Sequence, residues 1–180
     1  MRKIKKQKKG FTLVEVMAVV VIIGILSALG YAGLQDAVAN NRIKDAAYNI
    51  SAFMERVSNE TRRLNDTLCV LKTSDQKLIV YQSSCTADRE NAKKLDSLVL
   101  DAPVKILQNA DASDLDGENF AVQGAEFVPR IGLSAAPLSG GFFEVQYGSK
   151  NLFGASEKKV SNNMFLTKIK YSQSASWQDL

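Results

Sequence analysis

The chain has 180 residues, and its 23 Lys and Arg outnumber its 19 Asp and Glu, which gives a formal charge of +4. It contains no histidine, which excludes a Ser-His or Cys-His catalytic relay and most zinc sites. Since no glycine-rich phosphate-binding motif occurs either, the sequence predicts a protein that is not an enzyme and that needs no organic cofactor.

A basic segment followed by a long uncharged run opens the chain. Six cations lie within residues 1–10, whereas residues 11–35 contain one charged side chain, that of Glu15. Residues 16–35 form a stretch of 20 uncharged residues, the length that a helix needs to cross the core of a bilayer. By the positive-inside rule, the cations predict a cytoplasmic N-terminus and an exported remainder.

The position of Glu15 needs an explanation. A charged side chain near the centre of a single membrane helix costs about 2.5–3.5 kcal/mol. A secretory signal cleaved near residues 27–30 and a plain single-pass anchor are two alternatives for this segment, but neither accounts for the acid. Glu15 therefore disfavours both alternatives.

The letters GFTLVE, residues 10–15, resemble the class III signal of type IV pilins and pseudopilins. The resemblance implies cleavage between Gly10 and Phe11 by a prepilin peptidase/N-methyltransferase, and then N-methylation of the Phe11 amine. It also implies that Glu15 meets the amine of a neighbouring subunit and so fixes the register of the growing filament. A second possibility stays open, in which Glu15 pairs only with the amine of its own chain, one helical turn away.

Removal of residues 1–10 would change the charge of the protein. The remaining 17 Lys and Arg face 19 Asp and Glu, a net side-chain charge of −2. The high overall isoelectric point is thus a property of the leader, and it does not indicate that the exported part binds polyanions.

Helical periodicity continues beyond the uncharged run. Between residues 37 and 64, apolar side chains recur at steps of three and four, at Ile43, Ala46, Ala47, Ile50, Phe53, Met54, Val57 and Leu64. No proline precedes Pro103, so the sequence predicts one helix from about Thr12 to Asn65. Residues 11–35 would be its transmembrane and polymerising half, and residues 36–66 its amphipathic half, which packs on a globular head.

Residues 67–180 are predicted to form that head. Short apolar runs between turn residues predict strands at 67–71, 78–81, 98–100, 104–108, 120–123, 142–147 and 164–171. Turns are predicted at Ser74-Asp75, Gly140-Gly141 and Asn162-Asn163. The expected fold class is α+β, with a long N-terminal helix packed on an antiparallel, β-sandwich-like head.

The region where the helix meets the first strand resembles the minor pilins and pseudopilins of the GspH/FimT type. The residues that carry this weaker resemblance are 41–47, 62–65 and 68–70. It implies a basic helix that runs into the first strand of a β-sandwich. Many major pilins have a proline at the position of Ala32, and its absence favours a minor subunit.

Two cysteines, Cys69 and Cys85, lie in the predicted head. An exported domain faces an oxidising compartment, which favours a disulfide between them, whereas two buried free thiols are the alternative. The bridge would stabilise the head by about 3 kcal/mol in the chain-entropy model.

An acidic cluster contains the weak metal candidates Asp111, Asp114 and Asp116. Alternating carboxylates before Gly117 suggest a Ca²⁺ loop, but the template of an EF-hand fails at its first and last positions, which Ala112 and Gln123 would occupy. A solvated turn is the favoured interpretation.

The sequence thus favours a structural subunit of a type IV pilus or a type II secretion pseudopilus. Its expected location is the bacterial inner membrane, with one span and a periplasmic head, and then the filament. Its expected partners are other pilins, the prepilin peptidase and the inner-membrane assembly platform. The alternative is a binding module at the pilus tip for DNA uptake or adhesion, in which basic residues converge on one face: Arg130, Lys158, Lys159, Lys168 and Lys170.

Overall fold

The computed structural model describes residues 11–87, 92–108, 115, 117–130, 132–134, 140–159, 164–172 and 175–180. The chain divides into two compact units, Met1–Val38 and Ala39–Leu180. Helix α1, Leu13–Leu64, contributes residues to both units. Its bounds agree within one residue with the helix that the sequence predicts.

In the first unit, the helix exposes its apolar side chains. Every side chain described between Phe11 and Val38 is exposed, including the large aliphatic ones. In the described part of the chain, α1 is the one helix that is long and apolar enough to cross a membrane. Among the described residues, therefore, the apolar side chains of the first unit are not buried in a core.

In the second unit, the same helix buries one face. The buried apolar residues recur at helical spacing and are Ala39, Ile43, Ala46, Ala47, Ile50, Phe53, Met54 and Val57; the buried polar residues of the helix are Ser51, Ser58 and Thr61. This confirms the predicted apolar stripe, except that Leu64 is only partly buried. Thr61 fits in the stripe because its hydroxyl donates to the carbonyl of Val57 at 2.9 Å. Arg62 and Arg63 in the last turn complement the negative end of the helix dipole.

Eleven strands follow α1 in the described part of the chain: β1 (Leu68–Ser74), β2 (Lys77–Gln82), β3 (Lys93–Val99), β4 (Val104–Ile106), β5 (Glu118–Asn119), β6 (Ala125–Val128), β7 (Gly132–Ser134), β8 (Gly140–Tyr147), β9 (Phe153–Lys159), β10 (Leu166–Lys170) and β11 (Gln178–Asp179). The first sheet has the order β3-β2-β1-β6-β7, and the second has the order β11-β10-β9-β8-β4. All of these pairings are antiparallel, as expected. The exception is β5, which pairs with the start of β8 in parallel.

Two predicted elements are wrong. Residues Phe120–Gln123 form a helical turn, α2, and not a strand, because the side chain of Asn119 caps its N-terminus and Gly124 ends it at a φ of 86°. Gly140 and Gly141 lie in strand β8 and not in a turn. The ring of Phe120 lies where a side chain at position 141 would be, which explains a glycine within this strand.

The main hydrophobic core draws residues from α1 and from both sheets. Leu68, Val70, Val80 and Phe127 come from the first sheet, and Phe143, Val145 and Ile169 come from the second. Strand β9 approaches α1 closely at Gly154, where a Cβ atom would lie 3.1 Å from the carbonyl oxygen of Ile43. A glycine at this position therefore permits backbone-to-backbone packing.

A disulfide joins Cys69 in β1 to Cys85, which follows β2, with Cα atoms 5.1 Å apart. This confirms the bridged alternative over two free thiols. The exit of the first hairpin is further fixed by the Glu126 carboxylate, which accepts hydrogen bonds from the Cys85 amide at 2.8 Å and from the Ser84 hydroxyl.

Candidate functional site

The start of α1 is closed by a reciprocal pair of hydrogen bonds. The Thr12 hydroxyl accepts from the Glu15 amide at 3.3 Å, and the Glu15 carboxylate accepts from the Thr12 amide at 3.4 Å. This is a capping box, in which the first residue before a helix and the third residue within it satisfy each other's backbone donors. Glu15 therefore stabilises the end of its own helix.

The sequence analysis missed this contribution of Thr12. The signal was present, since Thr followed by an acid three residues later, before an apolar run, is the pattern of a capping box. The carboxylate of Glu15 nevertheless stays exposed, and its hydrogen bonds are long. It can accept hydrogen bonds from further donors, including a terminal amine, while it keeps its hydrogen bond to the Thr12 amide.

The surface around Glu15 is apolar on all sides of the helix. Phe11 is 83% exposed, and Leu13, Val14 and Val16 are also largely exposed. A carboxylate within such a surface becomes costly once lipid or another chain covers the surface, unless a cation comes with the covering group. The segment thus has a large apolar surface that lipid or other chains can cover, and one negative charge that a cation must then neutralise. The predicted cleavage residue Gly10 lies outside the described residues.

The head does not gather the predicted basic residues into one exposed surface. Lys168 is buried, and its ammonium group lies 2.6 Å from the fully buried carboxylate of Glu157. Lys170 is also buried, and its ammonium nitrogen lies 5.7 Å from the centre of the Trp177 ring. Arg130 lies elsewhere, after β6, in a left-handed backbone conformation with a φ of 72°. The sequence could not indicate that the two lysines are buried, because alternation places Lys168 and Lys170 on one face of a strand without showing that other residues cover this face.

Asp111, Asp114 and Asp116, the weak metal candidates, lie outside the described residues. Within the ranges that the structure describes, there is no group of three or more acidic, histidine or cysteine side chains that could hold a metal ion.

Comparison with known proteins agrees with the geometry of the N-terminal segment. Residues 5–31 match the family model of the prokaryotic N-terminal methylation motif. The chain is 46% identical over 43 residues to a fimbrial protein, EcpC, of Eikenella corrodens, and 47% identical over 48 residues to a fimbrial protein of Pseudomonas aeruginosa. These alignments cover 24% and 27% of the chain, and 28% and 31% of the respective relatives. No solved structure matches the chain significantly.

The long apolar helix, the acid near its start and the β-rich head define a pilin-like α+β protein. The N-terminal segment carries the prokaryotic N-terminal methylation motif, and the chain is similar over part of its length to fimbrial proteins. The chain spans less than a third of the length of these relatives. The GspH/FimT subtype stays a prediction.

Proposed function

We propose that this protein is a structural subunit of a type IV pilus or of a type II secretion pseudopilus, and that it polymerises through the first half of α1. The observation that supports this is the exposure of every described apolar side chain in residues 11–35, with Glu15 as the single charged group of the segment. A surface of this kind is stable in lipid before assembly and against other apolar helices after assembly.

The proposed assembly depends on charge neutralisation. Cleavage after Gly10 leaves an amine on Phe11, which N-methylation keeps cationic. The Glu15 carboxylate of one subunit then pairs with the amine of its neighbour when both leave the headgroup region. Because an unpaired charge in an apolar setting costs several kcal/mol, only the register that brings the two together is stable.

The same proposal sets the location and the partners. The cations of residues 1–10 hold the N-terminus in the cytoplasm, and the head lies in the periplasm. A prepilin peptidase processes the chain, the inner-membrane assembly platform extrudes it, and sibling pilins surround it in the filament. The absence of the proline typical of major pilins at position 32 supports a minor subunit.

Replacement of Glu15 by alanine tests the proposal. We expect Glu15→Ala to be processed and inserted in the membrane as the wild type is, but to be absent from sheared filaments. Asp45→Ala is the matched control, since it removes an exposed acid of the same helix within the head and should leave incorporation unchanged. Normal incorporation of Glu15→Ala, or a mature N-terminus other than Phe11 by mass spectrometry, would refute the proposal.

A further inference from the structure

An open pocket lies beside the last turns of α1, within the head. It has a volume of about 280 Å³ and is lined by Glu55, Ser58, Asn59, Arg62, Met164 and Phe165. Lys158 on β9 reaches the same place, since its ammonium group lies 5.2 Å from the centre of the Phe165 ring. The helix and the second sheet thus bring two cations, a hydroxyl group and an amide to one opening.

The two cations of this pocket are not neutralised within the described part of the chain. Neither Arg62 nor Lys158 forms an ion pair with a described carboxylate, whereas the adjacent Arg63 is paired with Glu60. Burial lowers the pKa of Lys158, the Arg62 guanidinium lowers it further, and Glu55 raises it by less. Repulsion between the two cations therefore outweighs the attraction between Lys158 and Glu55, and an added anion would relieve this repulsion.

We infer that this pocket, defined by Arg62 and Lys158, binds a carboxylate side chain of an acidic peptide segment on a partner protein. The guanidinium supplies a planar pair of donors that matches a carboxylate, and Ser58 and Asn59 supply neutral donors beside it. Met164 is 61% exposed next to the charges and offers the apolar contact that a bound peptide needs.

The remaining acid in the pocket favours a carboxylate over a phosphate or a nucleic acid. Glu55 repels a doubly charged phosphate more strongly than a singly charged carboxylate. The net side-chain charge of −2 that remains without residues 1–10 also disfavours a polyanion such as DNA. An acidic peptide presents single carboxylates and can place its neighbouring charges away from Glu55.

The chain carries its own reporters for a test. Of its four methionines, Met164 borders the pocket, whereas Met54 is fully buried in the core. Methyl-labelled methionine NMR of the full chain in a neutral detergent can therefore follow binding and folding at once. We expect an acetylated, amidated tetraglutamate peptide to shift the Met164 methyl signal and to leave the Met54 signal in place.

Variants that differ in one charge assign the shift to the pocket. Arg62→Gln should weaken peptide binding by about tenfold or more, since a hydrogen bond to a charged group contributes about 1.5–3 kcal/mol. Arg63→Gln is the matched control and should bind as the wild type does. Glu55→Gln should bind more tightly, a gain that loss of folding cannot mimic.

Several results would overturn the inference. It would fail if the peptide did not shift Met164, or if Arg62→Gln and Arg63→Gln weakened binding equally. Inorganic phosphate that binds as tightly as the peptide would contradict the carboxylate preference, and a duplex DNA that shifts Met164 when the peptide does not would indicate a nucleic-acid site. The test does not involve polymerisation, so its outcome is independent of the proposed filament function.

Discussion

Under the proposed function, Glu15 contributes in two separable ways: it caps its own helix, and its charge pairs with the amine of a neighbouring subunit. Three variants distinguish the two. Thr12→Ala removes the hydroxyl that caps the helix but leaves the carboxylate. Glu15→Gln leaves an amide oxygen that can accept from the Thr12 backbone but removes the charge. Glu15→Ala removes both. If assembly needs the charge of Glu15, Thr12→Ala should still be incorporated in filaments, whereas Glu15→Gln and Glu15→Ala should not.

The structure sets the size of each effect. The two bonds of the capping box are 3.3 Å and 3.4 Å long, so the loss of the Thr12 hydroxyl should cost at the low end of the usual range, about 0.5–1 kcal/mol. This corresponds to a change of about fivefold or less in an equilibrium. Removal of one partner from a buried ion pair costs about 3–5 kcal/mol, which is a factor of more than about a hundred.

The assay is the fraction of the protein recovered in sheared filaments, relative to the amount in the membrane of the same cells. Thr12→Ala should retain at least about a fifth of wild-type incorporation, whereas Glu15→Gln should retain less than about a hundredth. The reverse order, with normal incorporation of Glu15→Gln and failure of Thr12→Ala, would refute the argument. It would show that Glu15 acts only by closing the start of its own helix.

Three further predictions concern the head, and each can be read from urea unfolding of the protein in a neutral detergent. Cys85→Ser opens a loop with a sequence separation of 16 and should lower the free energy of unfolding by about 3 kcal/mol without reductant; an unchanged midpoint would contradict this. Lys168→Ala leaves the buried Glu157 carboxylate without its ammonium partner and should cost about 3–5 kcal/mol, whereas wild-type stability would show that the pair contributes nothing. The hydrogen bond from Arg63 lowers the pKa of the solvent-accessible Glu60 in the folded state. The small stabilisation of the folded protein by this pair is therefore complete above the ordinary pKa of 4.5, and it is lost as the pH falls through the lower folded-state pKa. The difference between wild type and Glu60→Gln should therefore vanish in acid, and a difference independent of pH would argue against the pairing.

The helix and its buried face were predictable because they depend on local periodicity. Residues such as Ile43, Ile50 and Val57 repeat every seven positions, and no proline interrupts them. The first hairpin was predictable for a similar reason, since the polar residues 72–77 separate two apolar runs that pair across the turn. The predicted turn at Ser74-Asp75 is one residue early, because Ser74 belongs to β1. In each case the residues that determine the structure lie close together in the sequence.

The elements that the sequence analysis missed depend on distant residues. Strand β3, Lys93–Val99, overlaps the predicted strand at 98–100 by two residues only. Its first five residues were missed because they are mostly exposed and polar, and they form a strand because β2 offers them a free edge. Residues Phe120–Gln123 are apolar enough for a strand, but the cap at Asn119 and the position of Phe120 against Phe143 favour a helical turn. The burial of Lys168 follows from Glu157 on the neighbouring strand, a pairing that no local pattern reveals.

The two parts of α1 are stabilised by different surroundings, and this limits what substitutions should do in each. From Ala39 onward, the buried face packs at fixed contacts such as the one at Gly154, so a change of volume alters stability directly. Before that point, every described side chain is exposed, and in the proposed membrane setting lipid would solvate one aliphatic side chain as well as another. Exchange of one aliphatic residue for another there should leave membrane insertion intact and act only through the contacts between subunits. Glu15 is the exception in this part of the helix, because lipid cannot replace the partner that a charge requires.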